Sequence, residues 1–168
     1  MATQTIIERE NSSGTVSFKG KLINWRKTDG YNVTINLGQV AVIGEYTTDR
    51  GPFADDWFLV FVFKGGEWEK VSVYAEGFQE LVQFLSQRFN IDFAIPFLTN
   101  GTEWKSFVRY PQNLEAKELF RLTPPRGYKP PTTILQNMKV ALGLGVYGKD
   151  WEVQLADEVK VEIAKASG

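Results

Sequence analysis

The chain contains no cysteine and no histidine. Without cysteine there is no thiolate nucleophile, no disulfide and no thiolate-held iron–sulfur cluster. Without histidine there is no imidazole base, so Ser-His-Asp and Cys-His catalysis are excluded, together with the usual zinc sites and histidine-ligated haem. Zero cysteine fits a reducing or an oxidising compartment equally well. Long apolar runs are missing too. The longest, Trp57 to Phe63, has seven residues, well short of the ~18 that suggest a membrane-spanning helix. The N-terminal Met-Ala-Thr-Gln-Thr-Ile-Ile-Glu-Arg-Glu has neither the apolar stretch nor the cleavage site of a secretory signal. An excess of one charge is absent as well: 19 Lys and Arg stand against 20 Asp and Glu, a net charge of −1. Overall electrostatics therefore point to no nucleic-acid partner. The expectation is a soluble, cytoplasmic protein with no metal and no cofactor.

What is present favours β-structure. The 168 residues suffice for one domain with a tail. Aromatic residues make up 14% of the chain, which suits a sheet core with large side chains. Residues 1–14 read as a polar arm ending in Asn11-Ser12-Ser13-Gly14. Val16 and Phe18 alternate with polar neighbours in a strand over 15–23, where Gly20 marks a bulge or a close approach. Thr28-Asp29-Gly30 is a turn. Tyr31, Val33, Ile35 and Leu37 share one face at period two, and Val40 to Tyr46 is a further strand bent at Gly44. Trp57 to Phe63 reads as a central strand covered on both faces. Gly65-Gly66 makes a hairpin turn, and Trp68 to Tyr74 returns.

The period then changes. Phe78, Leu81, Val82, Leu85 and Phe89 form one helical stripe within 76–90. Trp104 to Tyr110 is another strand. Asn113 suits the N-cap of a short helix carrying Leu114, Leu119, Phe120 and Leu122. Residues 123–133 hold four prolines and read as an extended, polyproline-like linker. Residues 133–142 suit a second amphipathic helix stopped at Gly143. Over 151–163 the odd-numbered apolar positions favour two strands turning at Ala156-Asp157-Glu158, with a helix at i+4 spacing as the alternative.

Few constellations could carry chemistry. Gly143, Gly145 and Gly148 match G-x-G-x-x-G, but a helix precedes and a strand follows, the reverse of a dinucleotide site. They read as a helix stop and loop. Asp49, Asp55, Asp56, Glu67 and Glu69 are the carboxylates a hydrolase would use, and two of them converging in a deep pocket would be its sign. Capping of turns is the preferred reading of the loop aspartates. Seven bases between Lys105 and Lys139, against Glu115 and Glu118, tilt that window positive. Within it, Arg126, Tyr128 and Lys129 sit between prolines. A stiff segment loses little entropy on binding, so these three are the candidate contacts to a partner. Lys19, Lys21, Arg26 and Lys27 are the candidate contacts to an anionic ligand or membrane surface.

The run from Tyr46 to Phe63 resembles a family of small bacterial proteins in which T-T-D-x-G-P-F-x-x-D-x-F joins two strands. Thr47, Thr48, Asp49, Gly51, Pro52, Phe53, Asp56 and Phe58 match that pattern, and Glu76-Gly77-Phe78 with Leu81 matches the helix start that follows in it. The resemblance spans about residues 15–110 and carries over no catalytic residue. Physically, Gly51 and Pro52 would set the turn, Phe53 would fold back on the sheet, and Asp49 and Asp56 would tie the loop. The order of antiparallel strands followed by one amphipathic helix is also similar to pleckstrin-homology and GRAM-like rolls. The expected fold is thus α+β: an antiparallel roll or partly open barrel over 15–110, closed by one amphipathic helix, with an α/β extension over 111–168. The expected function is a non-enzymatic protein-binding or adaptor module, with an anionic-ligand or membrane-surface module as the alternative and a carboxylate-dependent hydrolase as a poorer one.

Overall fold

The computed structural model describes residues 13–47, 57–93, 104–123, 126–127 and 152–168. Within these the fold is α+β, built of antiparallel sheets and two helices. Strands β1 (Thr15–Lys19), β2 (Leu22–Arg26) and β3 (Asn32–Asn36) form a three-stranded sheet in chain order. Val16, Ile23, Trp25, Val33 and Ile35 point into the core, while Thr15, Lys19, Leu22, Arg26, Asn32, Thr34 and Asn36 are exposed. This is the period-two pattern of a half-buried sheet. Gly20 with Lys21 makes the two-residue turn between β1 and β2 and not a bulge, because Lys19 pairs directly with Leu22. Tyr31 lies just outside β3 and is exposed rather than sharing its buried face.

A short 3-10 turn, Leu37–Gln39, leads into β4 (Val40–Thr47). The Asn36 side chain caps it by accepting from the Gly38 N–H at 2.9 Å. β4, β5 (Trp57–Phe63), β6 (Trp68–Ser72) and β7 (Lys105–Tyr110) make a four-stranded sheet in the order β6-β5-β4-β7. β5 occupies an interior place, as its continuous apolar run requires. Helix α1 (Phe78–Phe89) covers one face, burying Phe78, Leu81, Val82 and Leu85. Its start depends on Gly77, which has φ +84° and whose missing Cβ would stand 2.5 Å from the Val16 carbonyl oxygen. The Val16 N–H donates to Glu76 O and the Glu76 N–H to Gly14 O, so β1 and the helix start are stitched together.

After β7, Gln112–Leu114 is a single 3-10 turn, and the chain enters β8 (Phe120–Thr123). The short helix expected from Asn113 is therefore replaced by a strand. Its apolar residues are needed by the sheet: Phe120 is buried and locked by Ser106, whose Oγ accepts from the Phe120 N–H at 3.0 Å and donates to its carbonyl at 3.3 Å. β8 pairs with β9 (Glu152–Leu155) in a two-stranded ribbon. Helix α2 (Asp157–Ser167) follows, which corrects the second of the two strands expected over 151–163. Val159 and Ile163 are buried four residues apart while Val161 is 56% exposed, so period 3.6 wins. Asp157 and Glu158 in the first turn and Lys165 in the last also favour the helix. The face of β4 opposite α1 receives this C-terminal part. Leu119 lies against Gly44, whose missing Cβ would be 2.6 Å from Leu119 Cδ2. One continuous core thus runs from Val16 to Ile163. Among the described residues the sheets do not close into a barrel, and α2 is the one helix described in the extension. Among the described residues no helix is long and apolar enough to cross a membrane.

Candidate functional site

Between α1 and the four-stranded sheet lies a pocket of about 400 Å³, within the range of about 300–1,000 Å³ typical of small-molecule sites. β4 supplies Glu45. It stands opposite Leu59 of β5 and Phe107 of β7, and directly opposed residues share a face. Two residues along β5 from Leu59 comes Trp57, half-buried at the strand end. Val73 and Tyr74 follow β6, and Phe78, Gln79 and Val82 come from α1. Tyr74 and Gln79 are exposed, whereas Leu59, Phe78 and Val82 are buried, so the pocket opens beside the first turn of α1.

Arg109 stands two residues along β7 from Phe107, so ordinary alternation puts it on the face it shares with Glu45. Ile43 pairs with Tyr110 and Gly44 with Val108, so Arg109 is an extra residue in β7. A bulge turns consecutive side chains toward one side of the sheet. Tyr110 consequently joins Arg109 on that side, 4.6 Å from the Phe89 ring. The Arg109 Nη1 reaches Glu45 Oε1 at 3.4 Å. Both charged side chains are almost wholly buried, at 3% and 4% exposure. Buried charges are tolerated only when paired and hydrogen-bonded. Here the Trp57 indole N–H donates to Glu45 Oε2 at 3.2 Å, Arg109 Nη2 donates to the Asp92 carbonyl at 2.7 Å, and the guanidinium lies 5.5 Å from the Phe93 ring centre.

The end of α1 puts those last two partners in place. Asn90 takes a left-handed conformation and ends the helix. Ser86 then donates to Val82 O and accepts from the Phe93 N–H at 3.0 Å. That turn brings the Asp92 carbonyl and the Phe93 ring to Arg109.

The pocket gathers residues that the sequence did not mark as a site. Glu45 was one letter in an apolar strand, and Arg109 one of seven bases in a positive window. The available signal was a single charge, Glu45, in the wholly buried β4, and Arg109 between Val108 and Tyr110 in β7, whose other cation, Lys105, is exposed. The residues that were marked lie elsewhere. Lys19 and Lys21 are at the β1–β2 turn, while Arg26 and Lys27 are at the far end of β2, about 13 Å away for four residue steps of strand. Lys27 also faces Asp29 at 3.7 Å and the rings of Trp25 and Tyr31. The four cations therefore form two separate pairs. Glu67 and Glu69 do not line the pocket. Arg126 is exposed in a turn with Gly127, which corrects the extended path expected at that point. Tyr128 and Lys129 lie outside the described residues, as do Asp49, Gly51, Pro52, Phe53, Asp55, Asp56, the helix expected over 133–142 and the Gly143–Gly148 loop. Among the described residues no three acidic side chains come together as a metal-binding group. No protein-family model, curated protein or solved structure matches the chain.

Proposed function

We propose that this chain is a non-catalytic binding module whose ligand enters the pocket between α1 and the four-stranded sheet. One observation carries the reading: a cavity of about 400 Å³ is kept open beside an ion pair whose two members are each nearly fully buried. A half-open hollow of this volume, lined by aromatic rings and a few fixed polar groups, is the ordinary form of a ligand site. The absence of cysteine and histidine from the whole chain supports binding over catalysis. The fold-level part of the proposal is a pleckstrin-homology-like roll. It is supported by six antiparallel strands in two sheets leading into α1. On that reading β8, β9 and α2 are additions to the roll.

The test is titration with the uncharged naphthalene dye prodan, followed by its emission. Saturable one-to-one binding that is lost in Gln79→Trp, a change at the exposed rim, is the expected result. Linear, unsaturated uptake that ignores Gln79→Trp would count against the pocket.

A protein partner is the second reading, favoured by the β8–β9 ribbon. Among the described residues β9 pairs only with β8, and it carries Val153 at 43% exposure. An open strand edge is a ready template for another chain. A stoichiometric partner that co-purifies with the protein and is lost in Val153→Lys, with the fold intact by circular dichroism, is what this reading requires.

A further inference from the structure

The outer face of the first sheet carries a different constellation. Thr15, Arg26 and Asn32 stand directly opposite one another across β1, β2 and β3, and Ser17, Asn24 and Thr34 form the next row. Rows on one face of a sheet are ~6.6 Å apart and neighbouring strands ~4.8 Å apart, so these side chains are close neighbours. All but Thr34 line a half-open hollow of about 540 Å³. Arg26, on the middle strand, is exposed, and among the described residues no carboxylate pairs with it. Its cross-strand neighbours offer a hydroxyl and an amide in the places where an opposite charge would add stability. Lys27, next in the chain, turns instead to Asp29 and the rings of Trp25 and Tyr31. Thr34 donates to Asn24 Oδ1 at 2.8 Å, which occupies that oxygen and leaves the two N–H groups of the amide to donate. One carboxylate stands at the rim, where Glu76 Oε2 accepts from Thr15 Oγ1 at 3.4 Å.

A guanidinium presents its N–H groups in a fork that matches two oxygens of a phosphate. The hollow is larger than one such group fills, and the rest of its lining is hydroxyl and amide, which bond to hydroxyls. The face carries no aromatic ring, so a nucleobase has no platform to stack on. We infer a second binding site here, independent of the pocket beside α1, for a small phosphorylated sugar. Arg26 holds the phosphate, and Ser17, Asn24 and Asn32 bond to the sugar hydroxyls. Glu76, a like charge at the rim, weakens the attraction.

The experiment is calorimetric titration of the full chain, in phosphate-free buffer of low ionic strength, with glucose 6-phosphate, inorganic phosphate and glucose. Glucose 6-phosphate should bind about tenfold or more tightly than either fragment. Arg26→Gln should weaken it about tenfold or more, the worth of a charge-assisted hydrogen bond. Glu76→Gln should tighten it severalfold. Lys64→Gln, in the turn between β5 and β6, should change nothing. All three substituted side chains are exposed, so the fold survives each change. An equal loss in Lys64→Gln and Arg26→Gln would reduce the binding to diffuse attraction and overturn the site. Inorganic phosphate binding as tightly as glucose 6-phosphate would overturn the sugar assignment. Capture by phosphatidylglycerol vesicles, with no binding of the soluble sugar phosphate, would put the phosphate on a lipid and overturn the small-molecule reading. No binding of any probe up to millimolar concentration would overturn the inference and leave the pocket beside α1 untouched.

Discussion

The two faces of the four-stranded sheet are covered in opposite ways. On one, Leu119 presses on Gly44, Ser106 holds both backbone groups of Phe120, and Tyr46 packs against Phe58 at 5.2 Å and Phe120 at 5.9 Å. Lys70 closes this cluster by donating to the Tyr46 hydroxyl at 2.9 Å and lying 4.2 Å from the Phe58 ring centre. On the other face, α1 covers Leu59 and Glu45 but leaves a pocket. The strands are the same, so the difference lies in side chains. The first face uses small residues where backbones must approach and large rings where they need not. The second carries a buried ion pair that must keep its partners at fixed positions. Apolar groups around such a pair cannot collapse onto it without displacing a hydrogen bond. Close packing therefore marks one face, and a half-open hollow beside a buried ion pair marks the other.

The largest effect should come from breaking the pair. Arg109→Met takes the guanidinium from the buried Glu45 and should lower stability by about 3–5 kcal/mol in urea unfolding. Adding Glu45→Leu should recover at least half of that loss, because two apolar groups no longer need each other. A single variant as stable as the parent would mean that the pocket face tolerates loss of the ion pair, and the contrast between faces would fail.

Next is Gly44→Ala on the closely packed face. Its Cβ would meet Leu119 Cδ2 at 2.6 Å and the Phe107 carbonyl oxygen at 2.7 Å. Backbone cannot rotate away as a side chain can, so a loss of about 1–3 kcal/mol is expected. One methylene added on the pocket face should do the reverse. Val82→Ile extends into the cavity and should raise stability by about 0.5 kcal/mol, read as a small rise in melting temperature. Equal penalties for Gly44→Ala and Val82→Ile would show that the two faces are packed alike.

The smallest effect lies at the exposed edge of the packed face, where Arg121 of β8 donates to Asp157 of α2 at 2.9 Å. That hydrogen bond and the guanidinium charge, with Lys160 adding to them, hold the Asp157 carboxyl below its ordinary range. A carboxyl depressed on folding contributes stability above its unfolded value of about 4 and loses it as pH falls through the folded one. Asp157→Asn should therefore melt slightly below the parent at pH 7. The two should converge in strong acid, and high salt should shrink the gap. A gap that persists in strong acid would assign the difference to something other than this pair.

Much of the framework was legible because its signals are local. The seven-residue apolar run of β5, the turns at Gly30 and Gly66, and the stripe of α1 depend on neighbours within a turn or a strand. Phe78 and Val82 of the pocket were visible as part of that stripe, and Trp57 and Leu59 as part of that run. Two segments misled for a common reason. Leu119, Phe120 and Leu122 fit either a helix stripe or a strand, and Ser106 settles the matter by holding Phe120 in β8. Val159, Val161 and Ile163 alternate as a strand would, yet only Val159 and Ile163 meet the core.

The sequence by itself determined the α+β class, the antiparallel hairpins, the first helix, and the exclusion of thiol and imidazole chemistry. Each of these follows from residue type or from periodicity within one element. Only the tertiary structure decided that Glu45 and Arg109 meet. They are 64 residues apart, and they come together because β7 returns to pair with β4 in the register that sets Phe107 opposite Glu45. Strand partnership and register depend on which backbone groups find each other across the fold, and no local pattern encodes that choice.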